Sequence, residues 1–280
     1  MTAPEFWPAP MEGVFTENFI AAVNELELTD RWMTSFFRLS EHVPKLKIFK
    51  EFLAPYMSSG LPVYAQLMGR DPELLAGGAA MMLEAGAAGV NLNFGCPVPR
   101  VVKGKCGGAM LQEIDLMKKI VESVKASAGK YEVSVKLRSG FTSPHEMEQI
   151  VPALLSGGAD KLFFHYRTVK EMYGEVAERH ERFEHFMALA AQVPVVLNGD
   201  FGTREEVCDA LRHFNCHGIM LGRKFLSDPG ILRQLRGLPS VSREVFFYSL
   251  VRHGASGEGL KGLKRWIFGS WNYEIAPEGK

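Results

Sequence analysis

Short apolar runs recur along the chain, and segments with a helical spacing of apolar positions separate them. Eight of these runs have the length and the β-branched or aromatic content of strands. They cover residues 6–11, 34–39, 62–68, 89–93, 132–138, 160–165, 193–198 and 217–222. Near-continuous apolar strands that alternate with helices form a parallel sheet that is covered on both faces or closed on itself. Eight such units predict an α/β fold, a (β/α)8 TIM barrel.

Local signals support the predicted helices between these strands. Asp71 is placed to cap a helix that begins at Pro72, and Thr203 with Glu206 forms a candidate capping box. A doubly wound open sheet is the alternative architecture, and it requires a reversal of strand order that a sequence does not reveal. The G-x-G-x-x-G turn of dinucleotide-binding sheets does not follow the first strand, which favours the barrel.

The alternation of strands and helices stops after about residue 235. The pattern therefore divides the chain into a barrel over residues 1–235 and a small C-terminal helical appendage over residues 236–280. The appendage is expected to contain one or two helices, with a glycine-rich break at residues 254–262.

Composition narrows the class of protein. Hydrophobic residues make up 46% of the chain and charged residues 23%, as in ordinary globular proteins. The 32 basic residues balance the 32 acidic ones, so any nucleic-acid surface has to be a local patch. The four cysteines include no Cys-x-x-Cys pair and have no His-x-x-x-His nearby, which argues against a structural zinc site or a disulfide framework and predicts no bound metal. No signal peptide and no membrane-spanning run is visible, so we expect a cytoplasmic protein without membrane association.

Polar residues cluster at the carboxyl ends of six consecutive predicted strands, which is where barrel enzymes carry their active sites. They are Gln66, Asn93 with Cys96, Lys136 with Arg138, His165 with Arg167, Asn198-Gly199-Asp200, and Gly222-Arg223. A single strand-end lysine is usually a solvated tip, and a single histidine is often only hydrogen-bonded structure. Six such strand ends in succession predict a catalytic mouth.

The last two strand ends suggest a phosphate site. Glycine turns such as "NGDFGT" and "LGRKF" let backbone amides approach an anion, and Arg223 would add charge, although ordinary turns have the same composition. A phosphate there, with Lys136 across the mouth, suggests bound FMN. Lys136 would stabilise the N1/O2 edge of the reduced ring, Gln66 would bond its polar edge, and the "PAPMEG" turn would pack against it.

Several motifs give the chain a family resemblance. The strongest is "LNFGCPVPRVVKGKCGGAML", and "APMEGV", "QLMG", "VKLRSG", "HYRT", "NGDF" and "MLGR" accompany it in the same order. On these motifs the sequence resembles the tRNA-dihydrouridine synthase family. The resemblance implies an oxidoreductase with bound FMN that uses NADPH as electron donor and reduces the C5–C6 bond of uridines in tRNA; no protein partner is implied.

The resemblance also implies roles for individual residues of this chain. Cys96 would be the catalytic proton donor, and Asn93 and Arg138 would lie near the target uracil. The flavin contacts would be Pro10, Met11, Glu12, Gln66, Lys136, His165, Asn198, Gly199, Asp200, Gly222 and Arg223.

Proton donation requires a neutral thiol. A thiol with a pKa near ~8.5 is mostly protonated at neutral pH, so we expect the pKa of Cys96 not to be strongly lowered. The uridine would have to turn out of the RNA stack to reach it. Residues 97–107, with Arg100, Lys103 and Lys105, are expected to form a mobile lid that contacts RNA phosphates; a solvated basic loop is the alternative.

Two other functions remain open at this stage. One is an FMN-dependent ene reductase, similar to dihydroorotate dehydrogenase, that acts on a free small molecule and uses a loop cysteine as a base. The other is a non-catalytic RNA-binding barrel. The C-terminal region is shorter than the helical bundle usual in the family, and "KGLKRW" at residues 261–266 is the candidate remnant of its RNA-facing helix.

Overall fold

The computed structural model describes residues 3–269, and its centre is a sheet of nine parallel strands. The strands are β1 (Glu5–Pro8), β2 (Trp32–Met33), β3 (Phe37–Arg38), β4 (Val63–Met68), β5 (Gly89–Phe94), β6 (Glu132–Arg138), β7 (Lys161–His165), β8 (Val195–Asn198) and β9 (Gly218–Leu221). They pair in the order β1-β9-β8-β7-β6-β5-β4-β2, and β3 also pairs with β4.

Helices follow the strands along the chain. They are α1 (Glu17–Glu25), α2 (Leu46–Met57), α3 (Pro72–Glu84), α4 (Pro99–Lys103), α5 (Ile114–Ala128), α6 (Met147–Ser156), α7 (Arg179–Leu189), α8 (Arg204–Phe214), α9 (Arg223–Ser227), α10 (Ile231–Leu235), α11 (Arg243–Arg252) and α12 (Gly257–Phe268). Two 3-10 segments cover Gly107–Gln112 and Pro144–Glu146. None of the helices in the described part of the chain is long and apolar enough to cross a membrane.

Side chains from both ends of the strand order meet inside the sheet. Trp7 of β1, Met33 of β2 and Phe163 of β7 belong to one buried cluster. The ring of Trp7 lies edge-on to Tyr64 of β4 and to Phe163, with ring centroids 5.1 Å apart in both pairs. The sheet is therefore curled round a packed interior, and the prediction of a (β/α)8 barrel is confirmed.

The strand predicted at residues 34–39 is wrong in its extent. Two short pairings with β4, over β2 and β3, take its place. Between them, the hydroxyl of Thr34 accepts the amide proton of Gln66 at 2.9 Å and donates to the Ser35 carbonyl at 2.8 Å. The Thr34 hydroxyl thus takes the place of a main-chain acceptor for the Gln66 amide, so the backbone hydrogen bonds between this segment and β4 are interrupted.

The predicted helix starts at Asp71 and Thr203 are confirmed. The Asp71 carboxylate accepts the amides of Glu73 and Leu74, both at 2.9 Å, and Thr203 accepts the Glu206 amide at 3.1 Å. The Glu206 carboxylate accepts the amide of Gly202 at 2.9 Å.

The region after residue 235 contains α11 and α12, and residues 270–280 lie outside the described part. Phe246 of α11 packs edge-on against Phe19 of α1, with ring centroids 5.5 Å apart. Phe268 of α12 packs against Phe247 of α11 at 5.6 Å. The segment predicted to face RNA forms half of α12, and Trp266 within it is 50% exposed.

Candidate active site

Buried side-chain amides connect β4, β5 and β6 inside the barrel, below the carboxyl ends of these strands. The Gln66 side-chain nitrogen donates to the Asn91 oxygen at 2.8 Å, and the Asn91 nitrogen donates to the Ser134 hydroxyl at 2.9 Å. The Asn93 nitrogen donates to the Gln66 oxygen at 2.8 Å. Because each amide has partners on both sides, these side chains are fixed in one orientation below the barrel mouth.

Asn93 also holds the turn that carries Cys96. Its side-chain oxygen accepts the amides of Gly95 at 3.2 Å and Cys96 at 3.0 Å. The Cys96 carbonyl accepts the amide of Gly108 at 2.9 Å. At Gly107, where φ is +58°, a Cβ atom would lie 2.9 Å from the Cβ of Cys96. Only glycine fits this close approach, so the loop packs directly against the cysteine.

The Cys96 thiol is partly buried and protonated at neutral pH. Burial raises the pKa of Cys96 above its usual value, and this effect exceeds the opposing influence of the Val98 backbone and of the charges on Lys136 and Arg138. The expectation that this pKa is not strongly lowered is confirmed. The thiol is suited to donate a proton rather than to act as a nucleophilic thiolate.

Arg138 joins two loops of the mouth. It is 4% exposed, and its Nε donates to the Gly95 carbonyl at 3.0 Å. Its Nη1 donates to the carbonyls of Thr168 at 2.9 Å and Met172 at 2.7 Å. Burial lowers the pKa of Arg138 to about 10, so the guanidinium stays charged at neutral pH. The structure thus shows Arg138 as a link between the Cys96 turn and the loop after β7; its contact with the uracil stays a prediction.

Lys136 brings an amine to the same end of the barrel. Lys136 lies two residues after Ser134, and so on the same face of β6. It has neither a hydrogen bond nor an ion pair within the described residues. Burial and the nearby charge of Arg138 lower the pKa of Lys136 to about 7. This amine therefore titrates near neutral pH and has no protein partner for its charge.

His165 is held as a neutral imidazole. Its Nδ1 accepts the backbone amide of Arg167 at 3.3 Å, which leaves the proton on Nε2. Burial, followed by the charges of Arg138 and Lys136, lowers the pKa of His165 well below its usual value. His165 pairs in register with Arg138 on one side and with Asn198 on the other, so three predicted site residues form a row across the sheet.

Asp200 is the centre of a charged cluster at the ends of β7, β8 and β9. Its carboxylate accepts from Arg167 at 2.6 Å, from Arg223 at 2.7 Å and from the Tyr166 hydroxyl at 3.3 Å. Burial opposes ionisation, but the hydrogen bonds from Arg223 and Arg167 lower the pKa of Asp200 below its usual value. Nη1 of Arg167 is buried and has no hydrogen-bond partner in the described part of the chain. An anion that approached this cluster would find two guanidinium groups already oriented.

The glycines beside this cluster allow close packing. A Cβ at Gly199 would lie 2.8 Å from the ring of Tyr166, whereas one at Gly222 would only touch Ala9 at 3.6 Å. Asn198 is buried and donates to the Met220 carbonyl at 2.9 Å, which fixes the end of β8 against β9.

The remaining predicted residues lie in loops. Pro10 and Met11 are half-buried, while Glu12 is exposed and pairs with Arg100 at 3.0 Å. Lys103 is exposed at the end of α4. The segment predicted to be a mobile lid contains the short helix α4, and the amide of Gly108, just after the segment, donates to the Cys96 carbonyl; its mobility and its contact with RNA phosphates stay predictions.

Sequence reasoning missed how the loop after β7 is held. Glu171 accepts two hydrogen bonds from Arg182 of α7, at 2.7 and 2.8 Å, and one from the Thr168 amide at 2.7 Å. Hydrogen bonds from Arg182 are the largest cause of the fall in the pKa of Glu171 to about 2. The same loop places Tyr173, which is 53% exposed, with its ring 5.4 Å from the guanidinium of Arg138. The hydrogen-bonded side-chain amides, in contrast, had a signal in the sequence. Asn91 and Asn93 are two residues apart in one strand, so their side chains lie on the same face of the sheet.

Comparisons with known proteins identify the family of the chain. Residues 8–244 match the family model described as Dihydrouridine synthase (Dus). The chain is 32% identical over 234 residues to a tRNA-dihydrouridine(16) synthase of Aquipseudomonas alcaligenes, covering 81% of this chain and 73% of that one. It is 35% identical over 239 residues to a protein of the same name from Cupriavidus necator, covering 82% and 73%.

Solved structures share the fold at low sequence identity. Morphinone reductase superposes with a TM-score of 0.61 at 11% identity, over 87% of this chain and 88% of that one. A 2-naphthoyl-CoA reductase superposes with a TM-score of 0.66 at 11% identity, over 89% and 53%. The family model covers the barrel from residue 8 onward, including the carboxyl ends of the strands that carry the candidate site. The chain belongs to the dihydrouridine synthase family.

Proposed function

We propose that this protein reduces the C5–C6 double bond of uridine in tRNA to give dihydrouridine, with FMN as bound cofactor and NADPH as electron donor. Family membership and relatives named tRNA-dihydrouridine(16) synthase support the proposal. The observation that carries it is a protonated thiol, Cys96, fixed at a barrel mouth beside the unpaired amine of Lys136.

The donor groups of the mouth fit FMN. Lys136 has no partner for its charge among residues 3–269, and a cation in this place suits a ring that becomes negative on reduction. The Nε2 proton of His165 is a further donor to a ring edge. Arg223, with its side chain 42% exposed, suits a phosphate at the ends of β7 to β9.

The other predicted flavin contacts have supporting positions at the same end of the barrel. Gln66 and Asn198 are buried and bonded to protein groups, so we assign them to fixing the floor of the mouth. The loop and strand-end residues that complete the proposed site are Pro10, Met11, Glu12, Gly199, Asp200 and Gly222.

The reaction divides between the cofactor and the protein. When bound and reduced by NADPH, FMN would supply the hydride that adds to C6 of the uracil. Cys96 donates its proton to C5, where negative charge develops. Lys136 and Arg138 both lower the pKa of Cys96, so their charges stabilise the thiolate that remains after the transfer. Burial keeps the thiol protonated beforehand, and the two cations make the loss of its proton less costly.

Binding of tRNA needs local basic surface, because the chain has no net positive charge. Lys103 and Lys105 are exposed next to the Cys96 turn. On α12, the exposed ring of Trp266 lies in a segment with Lys261, Lys264 and Arg265. An exposed aromatic ring between basic residues suits a stacked base with its phosphates.

Mapping of dihydrouridine in cellular RNA tests this function. RNA from a strain that lacks the protein is compared with RNA from the same strain complemented with wild type, Cys96→Ala or Cys208→Ala. We expect at least one tRNA site to lose dihydrouridine, and wild type and Cys208→Ala to restore it. Cys208 lies on α8, away from the strand ends, and is the matched control.

The outcomes separate the rival functions. Restoration by Cys96→Ala would refute proton donation by this thiol. Loss of no tRNA site, together with turnover of free pyrimidines by the purified protein, would favour the small-molecule ene reductase. A purified protein that is colourless and takes up no added FMN would favour the non-catalytic RNA-binding barrel.

A further inference from the structure

Three ligand-type side chains converge on the outer surface of the barrel, apart from the mouth. His180 and Glu184 lie one turn apart on α7, and His213 lies near the end of α8. Nε2 of His213 is 3.0 Å from Nε2 of His180 and 3.1 Å from Oε1 of Glu184. Nε2 of His180 is 3.5 Å from the same oxygen. Within residues 3–269 this is the only such group of three.

These distances match one face of a tetrahedral metal site. Zinc binds histidine nitrogen and carboxylate oxygen at about 2.0–2.2 Å, so neighbouring ligands of a tetrahedral ion are about 3.3 Å apart. The three distances in the protein lie on either side of that value. An ion bonded to all three atoms would lie slightly outside their plane and keep one position for water.

Protons alone satisfy this cluster poorly. Each imidazole presents Nε2 to the cluster and the carboxylate presents Oε1, so one proton on either facing nitrogen serves only one of the close contacts well. A divalent cation accepts all three lone pairs at once. The ligand atoms thus have the arrangement that a shared cation requires.

The ligands are accessible and restrained. The three side chains are 51–54% exposed, so an ion from solution reaches them without any movement of the fold. The ring of Phe214, which packs against the core, contacts both imidazoles, with centroids 4.8 Å from His180 and 4.7 Å from His213. This contact limits the rotation of both rings and lowers the entropy lost on binding.

We propose that His180, Glu184 and His213 form a binding site for a first-row divalent metal ion of the zinc class. Two imidazoles and one carboxylate suit zinc, cobalt, nickel or copper better than magnesium or calcium, which prefer oxygen ligands alone. The ion would tie α7 to α8 across the outside of β8. Arg179, next to His180, donates to the Asp200 carbonyl at 2.8 Å, so the tie reaches the loop behind the charged cluster of the mouth.

Zinc titration of the untagged full-length protein tests the site. The FMN-loaded protein is stripped with EDTA and titrated with Zn²⁺ against a chromophoric chelator. Variants are His180→Ala, His213→Ala and, as the matched control, His185→Ala. His185 is a half-exposed histidine of the same helix, 3.9 Å from Glu148 and outside the cluster.

We expect one Zn²⁺ per chain, affinity at least about tenfold weaker in His180→Ala and His213→Ala, and no change in His185→Ala. Zn²⁺ should raise the melting temperature of wild type but not of the two ligand variants. Co²⁺ should give the visible absorption of a tetrahedral ion without a thiolate charge-transfer band. Equal affinity in all four proteins, no binding by wild type, or a thiolate band would overturn the proposal.

Discussion

Replacement of Glu171 by glutamine tests whether an ion pair holds the loop after β7 in place. Glu171 makes two hydrogen bonds with Arg182, and its pKa falls from 4.5 to about 2. Such a fall corresponds to about 3 kcal/mol, since one pKa unit is worth about 1.4 kcal/mol. The Glu171 side chain is 31% exposed, so solvent screening reduces the expected loss of unfolding free energy to about 2 kcal/mol.

The sign of the pH dependence follows from the lowered pKa. A carboxylate whose pKa is lower in the folded protein stabilises it above pH 4.5, and this stabilisation is lost as the pH falls towards 2. The difference between wild type and Glu171→Gln should therefore be largest at pH 7 and less than half as large near pH 3. Urea unfolding at pH 7, 5 and 3 measures it.

A control within the same ion-pair group sharpens this test. Glu178 is 63% exposed and lies 3.6 Å from the guanidinium of Arg182. We expect Glu178→Gln to change the unfolding free energy by less than about 0.5 kcal/mol. Equal losses in the two variants, or a loss in Glu171→Gln that does not shrink on acidification, would refute the reasoning.

Three further predictions concern the mouth. Gly199→Ala should lose about 1–3 kcal/mol of unfolding free energy, because its Cβ would lie 2.8 Å from the ring of Tyr166. Gly202→Ala, whose Cβ would have its nearest contact at 3.7 Å, should lose little, and equal losses in the two variants would contradict this reasoning. Iodoacetamide labelling of Cys96, followed by mass spectrometry, should reach its midpoint at a higher pH than labelling of a free thiol such as N-acetylcysteine, because burial raises the pKa of Cys96, and a lower midpoint than that of the free thiol would contradict this effect. In flavin-free protein the Lys136 amine should titrate near pH 7 by NMR of labelled lysines, and a midpoint near 10 would contradict its burial.

The barrel was predictable because its signals are local. Each strand from β4 to β9 is an apolar run of the expected length, and Asp71 and Thr203 carry their caps in adjacent residues. The exception, at residues 34–39, depends on the hydroxyl of Thr34 meeting the amide of Gln66 from another strand. No pattern within one segment reports such a contact.

The composition of the candidate site was predictable, but its internal bonding was not. Strand-end position identified Lys136, Arg138 and His165, because side chains at these ends must face the mouth or the loops around it. Arg138 is buried and bonded to backbone carbonyls, and Asp200 binds two arginines. Both arrangements depend on the conformation of loops that lie far apart in the chain. Loop conformation is weakly encoded by local sequence, so these partners emerged only from the three-dimensional structure.

The bonds of Arg138 affect how freely the mouth can change during evolution. All three of its acceptors are main-chain carbonyls, those of Gly95, Thr168 and Met172. Every amino acid offers the same carbonyl, so these hydrogen bonds do not depend directly on which side chains occupy positions 168 and 172. Selection for a different RNA substrate could therefore remodel this rim while the turn that presents Cys96 stays in place.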